Sequence, residues 1–173
     1  VYELPETLAG ETRREKLSRL REAIKEAGAD CHVVSALDET AWSLNLRGSD
    51  IPCNPVFLSY LYLDQDQVLL YGKKQAFSGE LEAALRRDGV ELRPYEAVFS
   101  ELPELTGHKT VLADLDQISD ALAACLSGAE KIQSRPDPAV LMKAVKNEAE
   151  ILGIREAHRK DGIALTKFLY WLK

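Results

Sequence analysis

The sequence is poor in the residue types that announce chemistry by themselves. It holds three cysteines and three histidines in 173 residues. Cys31, Cys53 and Cys125 lie far apart and form no C-x-x-C pair, which argues against a disulfide framework. The plain expectation is three small, buried or half-buried thiols in a reducing, cytoplasmic compartment. His32, His108 and His158 do not fall at zinc-ligand spacings with the cysteines, so no metal site is expected in this chain. Long apolar runs are missing too. None approaches the roughly 18 residues of a membrane span, and the acidic first ten residues with Pro5 do not read as a signal peptide. Excess positive charge is also absent. Lys and Arg number 22 against 28 Asp and Glu, a net charge of −6. That balance argues against a nucleic-acid partner and against a polybasic membrane anchor.

What is present is ordinary globular composition, 46% hydrophobic and 29% charged. Such a length fits one domain of about 100–200 residues. Val1–Gly10 reads as a connector. Thr12-x-x-Glu15 is a capping box, because the hydroxyl and the carboxylate satisfy free backbone donors at a helix start. Leu17, Leu20, Ile24 and Ala27 then form one apolar stripe, and Gly28 stops the helix. Cys31–Ser35 reads as a buried strand. Ser35-x-x-Asp38 reads as a second capping box, opening a short helix with Ala41, Trp42 and Leu44. Asn45–Pro55 is polar, with Gly48 and two prolines, and reads as an ordered loop.

Phe57–Leu63 and Val68–Tyr71 predict a hairpin around the polar Asp64–Gln67 turn. Strand alternation puts Tyr60 and Tyr62 on one sheet face. Further on, Ser78–Arg87 and Ile118–Leu126 read as helices, and Val90–Arg93, Lys109–Ala113 and Lys131–Gln133 as strands. Alternating elements of this size predict an α/β layer fold with a mixed sheet flanked by helices. Arg135–Pro138 is an extended break. After it, Asn147-x-x-Glu150 is an N-cap with an acid at the third position. It opens a long helix with Ile151, Ile154, His158, Leu165, Phe168, Leu169 and Leu172 on one face. Residues 31–136 carry 9 basic and 16 acidic groups, whereas residues 137–173 carry 7 and 5. A helix so apolar on one face needs a partner surface, and no glycine or proline stop closes it. The expectation is a boundary inside a larger protein.

At Ser35–Asn54 the sequence meets a family. The stretch Leu44-Asn-Leu-Arg-Gly-Ser-Asp-Ile51, running on through Pro52-Cys53-Asn54-Pro55-Val56-Phe57, resembles the middle domain of three-domain Xaa-Pro aminopeptidases (aminopeptidase P). That domain is of the creatinase/prolidase amino-terminal type. Ala9-Gly10-Glu11 with Lys16-Leu17 is similar to the junction from a preceding domain. Lys143–Ile151 and Arg155–Gly162 resemble the first helix of a pita-bread catalytic domain. The resemblance divides the chain into a connector (1–11), the α/β domain (12–134), a hinge (135–146) and the first catalytic-domain helix (147–173). Cys53 departs from it, standing where a tyrosine is expected.

The resemblance implies a dinuclear metallopeptidase parent, usually with two manganese ions, that removes the residue preceding proline at a peptide's N-terminus. The family's ligands, two Asp, one His and two Glu, lie beyond the first helix. This chain alone is therefore expected to hold no catalytic residue and no metal, and to be inactive. Asp114 with Asp116, and Asp64 with Asp66, read as strand-end and solvated-turn residues and not as substitute ligands. Expected partners are the parent's own catalytic domain, proline-containing peptides and, as an open call, a second copy in a homodimer. The residues singled out for a substrate-cleft or interdomain role are Arg47, Asp50 and Asn54. Arg47 presents a planar fork suited to a carboxylate or carbonyl, on a loop of the kind that carries function. The blander alternative is that Arg47 pairs with Asp50 while Asn54 caps a turn. A different class of parent, a metal-free pita-bread relative acting as an interaction scaffold, is the competing expectation.

Overall fold

The computed structural model describes residues 1–173 as one α/β/α arrangement. Its sheet has six strands, β2 (Cys31–Val34), β4 (Ser59–Asp64), β5 (Val68–Gly72), β6 (Val90–Pro94), β7 (Thr110–Ala113) and β8 (Lys131–Ser134). They lie in the order β6-β5-β4-β2-β7-β8. The β4–β5 hairpin is antiparallel, as is β4 against β2, while β5–β6, β2–β7 and β7–β8 are parallel. The mixed sheet expected from the sequence is therefore present.

Strand alternation sorts the core onto two faces. Val34, Leu61, Leu63, Leu70 and Leu112 pack with Leu17, Leu20 and Ile24 of α2 (Arg13–Glu26) and with Trp42 of α3 (Leu37–Ser43). The same face takes Leu81 and Leu85 of α4 (Gly79–Arg87) and Ala139 of α7 (Pro138–Ala144). Cys31, Val33, Tyr62, Leu69, Tyr71 and Val111 face the other way. They meet Val98 and Leu102 of α5 (Val98–Thr106) and Leu122 of α6 (Asp120–Cys125). Tyr60 joins this second layer beside Tyr62, stacked on Tyr95 with ring centroids 5.1 Å apart.

Local signals decide several boundaries. Thr12 and Glu15 form the capping box reciprocally at the start of α2, and Asn147 with Glu150 does the same for α8 (Glu148–Trp171). The box expected at Ser35 does not form. Ala36 is the N-cap of α3 and makes no side-chain bond. Ser35 instead donates its hydroxyl to the Gln117 carbonyl oxygen (3.2 Å), and Asp38 pairs with Lys143. Tertiary partners have taken both side chains from the local motif.

The terminal segments are more structured than their composition suggested. Residues 1–11, read as a connector, contribute β1 (Tyr2–Glu3), which pairs antiparallel with β3 (Leu46–Arg47), and α1 (Glu6–Ala9). The segment 135–146, read as a hinge, holds α7. Pro138 sits in its first turn, where a missing N–H is harmless, and Asp137 caps it by accepting from the Ala139 N–H (2.7 Å). Asp64, read as a solvated turn residue, is buried. It accepts from the Tyr62 hydroxyl (2.9 Å), the Lys109 ammonium (3.3 Å) and the backbone N–H groups of Asp66 and Gln67 (both 2.9 Å). Burial acts to raise its pKa, and these donors together hold it below the ordinary value.

Two joints tie the far end of the chain to this frame. Gly10 has φ +69°, and a Cβ there would lie 2.2 Å from the Asn147 side-chain oxygen. The absent side chain lets Asn147 donate its Nδ2 to the Ala9 carbonyl oxygen (2.7 Å) while its Oδ1 caps α8. His32 makes the other joint. Its Nδ1 lies 2.9 Å from the Leu112 carbonyl oxygen, which can only accept, and its Nε2 lies 3.1 Å from Asp137 Oδ2, close enough for an ion pair but out of hydrogen-bond alignment. Burial pulls the imidazole pKa down, yet the Asp137 carboxylate and the Leu112 carbonyl outweigh it, and the net shift is upward.

Both joints are testable by urea unfolding. Gly10→Ala is expected to cost more than about 1 kcal/mol, because it adds left-handed strain to the collision with Asn147. His32, with its pKa raised on folding, contributes stability that is whole below about pH 6.5 and is lost as pH rises through the folded value. Asp137→Ala should destabilise by about 2–4 kcal/mol, a lost cap plus an unpaired buried group, and should flatten that alkaline decline. An unchanged pH profile in Asp137→Ala would sink the assignment.

Candidate functional site

The end of β3 and the loop from it to β4 carry the three residues singled out from the sequence, and the structure separates them. Gly48 anchors the loop close to its return arm. Its N–H donates to the Pro55 carbonyl oxygen (3.2 Å), and a Cβ would lie 2.6 Å from Phe57 Cβ. Asp50 is exposed and does not pair with Arg47. Its carboxylate accepts from the Leu58 N–H (2.8 Å), so it closes the loop on itself. Asn54 is exposed at the tip, bridged to Ile51. Arg47 is half-buried and points back under α3. Its Nη1 donates to the carbonyl oxygens of Leu46 (2.8 Å) and Ala41 (3.2 Å).

Arg47 and Asn54 share a groove of about 700 Å³ with residues from five other places in the chain. Leu4 and Leu8 come from the N-terminal segment, Lys16 from α2 and Trp42 from α3. Lys143 and Lys146 come from α7 and its exit, and Glu150, Gly153, Ile154 and Ala157 from the first turns of α8. Asp50 is not among the lining residues. The groove thus lies where the α/β layers meet α8, and it is roofed by the loop only through Asn54, Pro55 and Val56.

The electrostatics of the groove are set by burial. Lys16 is 1% exposed, and its ammonium lies over the Trp42 ring at 4.1 Å from the centroid. It donates to the Trp42 carbonyl oxygen (3.1 Å) and to Asn45 Oδ1 (2.8 Å). Burial pushes its pKa down to about 8 against the upward pull of Glu150 and Glu11. Burial also lowers the pKa of Arg47, opposed by Tyr2 and Glu150. Glu150 is committed elsewhere, accepting from the Trp42 indole N–H (3.2 Å) and the Asn147 backbone N–H (2.9 Å). Lys143 pairs with Asp38 and Glu39 (2.8 Å to Glu39).

Sequence reasoning missed Lys16, Trp42 and Glu150 as members of this site. Lys16 lies on an amphipathic helix where lysine is normally solvated. The one available signal was its place a single residue before the apolar stripe that begins at Leu17.

No three His, Cys, Asp or Glu side chains converge closely enough to hold a metal ion. Asp114 accepts from the Asp116 N–H (3.2 Å) in a turn, and the two are not arranged as ligands. Cys31 is buried, with its thiol pKa pushed up by burial to about 11, while Cys53 is exposed and Cys125 half-buried. No helix is long and apolar enough to cross a membrane.

Comparison with known proteins agrees with this geometry. The whole chain is 38% identical to Xaa-Pro aminopeptidase 1 of Dictyostelium discoideum, covering 27% of that protein. Over 98% of its length it is 36% identical to a probable Xaa-Pro aminopeptidase P of Pyricularia oryzae, covering 29% of it. The chain therefore spans less than a third of these relatives. The fold superposes on the crystal structure of X-prolyl aminopeptidase from Caenorhabditis elegans with a TM-score of 0.88 at 28% identity, over 99% of this chain and 29% of that one. That protein is described as a cytosolic enzyme with a di-nuclear active site. The Xaa-Pro dipeptidase of Bacillus anthracis shares the fold, with a TM-score of 0.66 at 12% identity over 92% of this chain and 44% of that one. Residues 1–150 match the creatinase/prolidase N-terminal domain as a family. Because that match takes in both sheet faces and reaches the start of α8, the chain belongs to the creatinase/prolidase N-terminal domain family, in the form carried by Xaa-Pro aminopeptidases.

Proposed function

We propose that this chain is the non-catalytic flank of a metal-dependent Xaa-Pro aminopeptidase. In this reading residues 12–134 form the α/β domain, residues 135–146 the α7 connection, and α8 opens the catalytic domain. The observation that carries it is α8. All 24 of its residues stand clear of burial, with Ile154 42%, Leu165 55%, Phe168 51% and Trp171 77% exposed. Only the first turns of this helix of roughly 36 Å meet the rest of the chain, and the apolar face of the remainder is built to be covered by more protein. The relatives, more than three times as long as this chain, supply the length for it. His158, exposed on the same helix, then packs into that cover and binds no metal.

In the parent, two divalent ions, taken as manganese, supply the activated water and the Lewis acid for peptide hydrolysis. In this reading their ligands, two Asp, one His and two Glu, belong to the catalytic domain that α8 opens. The work of this chain is shape and charge. The loop of Arg47, Asp50 and Asn54 borders the peptide cleft, with Asp50 fixing the loop and Arg47 facing the groove. Proline-containing peptides and the catalytic domain are its partners in this reading, with a homodimer as a further partner. The compartment follows the Caenorhabditis elegans enzyme and is cytoplasmic.

Two measurements test the reading. The isolated chain, supplied with Mn²⁺, should release no N-terminal residue from Xaa-Pro peptides, whereas the parent should lose activity to a chelator. In the parent, Arg47→Ala should lower kcat/KM for such peptides by about tenfold, the value of one charge-assisted contact, while leaving the fold intact. Turnover by the isolated chain, or unaltered kinetics across several peptides, would refute it.

A further inference from the structure

The groove holds an imbalance that its own residues do not resolve. Arg47 uses one nitrogen of its guanidinium on backbone carbonyls, and its Nε and Nη2 make no hydrogen bond within the protein. No carboxylate lies within ion-pair distance of it, and none lies within that distance of the buried Lys16. The free Arg47 nitrogens keep access to solvent at the groove, so a ligand that enters it can meet them. Lys143 is paired with Asp38 and Glu39, Lys146 donates only to the Lys143 carbonyl oxygen (2.6 Å), and Glu150, bonded to neutral donors, still attracts Lys16 and Arg47 through space. The cations Lys16, Arg47, Lys143 and Lys146 outnumber the carboxylates Asp38, Glu39 and Glu150 by one, and Arg47 is the cation with an open fork.

We propose that this groove is a binding site for the free C-terminal carboxylate of a short apolar peptide, received by the Arg47 guanidinium. Three features choose that ligand. The guanidinium fork matches a carboxylate with two parallel hydrogen bonds. The walls are apolar, with Leu4, Leu8, Trp42, Val56 and Ile154 beside the charges, and about 700 Å³ is the scale of a few residues. Asp38 and Glu150 in the lining disfavour a multiply charged anion such as phosphate. This inference rests on the peptidase reading for why a peptide end arrives there, but the binding itself is a property of this chain alone.

The test uses this chain and four probes, followed by calorimetry and by the ¹⁵N shifts of the Trp42 indole and the Arg47 Nε. The probes are Leu-Pro-Leu, its C-terminal amide, acetyl-Leu-Asp-Leu-amide and inorganic phosphate. Leu-Pro-Leu is expected to bind about tenfold more tightly than its amide, shifting both ¹⁵N signals, with phosphate and the internal Asp peptide both weaker than the acid. Arg47→Gln should erase the preference for the acid over the amide, and Arg47→Lys should keep part of it. Equal binding of acid and amide overturns the proposal on the unaltered chain, whatever the variants do. So does the absence of measurable binding, or a retained preference in a folded Arg47→Gln. Tighter binding of the internal Asp peptide would assign the groove to an acidic protein segment instead, and tighter phosphate binding to an inorganic anion. None of these results depends on turnover by the parent, so failure here and failure of the cleft reading are separate outcomes.

Discussion

The buried ammonium of Lys16 is the point on which the site depends. It sits between α2 and α3, over the Trp42 ring, and holds Asn45 through its side-chain oxygen. Asn45 adopts φ +52°, a backbone state that asparagine tolerates better than most residues. From there its Nδ2 reaches the Glu11 carbonyl oxygen (2.8 Å), and its own carbonyl oxygen accepts from the Leu4 N–H (2.7 Å). One cation thereby fixes the turn after α3, the register of β1 on β3 and the direction in which Arg47 leaves the strand. A methionine there would fill the space but would leave the Asn45 side-chain oxygen without its donor, while the Trp42 carbonyl oxygen would keep only the Asn45 N–H (3.3 Å).

The same interaction explains why the groove exists. α3, the β3–β4 loop and the first turns of α8 are held apart at fixed distances by polar joints and do not collapse onto one another. Trp42 serves two of these joints, its carbonyl bonded to Lys16 and its indole to Glu150. Gly48 and Asp50 hold the loop without entering the groove. The loop is therefore a wall and Arg47 a fixture behind it, a division of labour that a linear reading of the motif merges.

The sheet, its helices and both functioning capping boxes were legible because each rests on local patterns, alternation in strands and paired polar residues at helix starts. What escaped notice depended on distant partners. β1, β3 and α1 are two to four residues long and exist through each other and α8. α5, for which the sequence suggested no element, is a helix of nine residues that holds Pro103 and packs Val98 and Leu102 into the core. Ser35 and Asp38 displayed a local motif and were recruited to Gln117 and Lys143. For the candidate site, Arg47, Asp50 and Asn54 stood out as polar residues in an ordered loop, and the structure places Arg47 and Asn54 in the groove lining with Asp50 outside it. Lys16 was hard to see, since its place beside Leu17 at the edge of the apolar stripe is the only mark that sets it apart from a solvated lysine.

The contact of Gly10 with Asn147 has a bearing on how the chain is made. The hydrogen bond from Asn147 to Ala9 spans 138 positions in the sequence, and a pairing so distant carries a large loop-closure penalty until the intervening sheet has formed. During synthesis α1 must therefore wait, undocked, while nearly the whole domain leaves the ribosome. At about 5–20 residues per second, that interval is on the order of ten seconds. Of the helices in this chain, the earliest in sequence is thus among the last to find its place, and its docking marks the moment at which the entry to α8 becomes fixed.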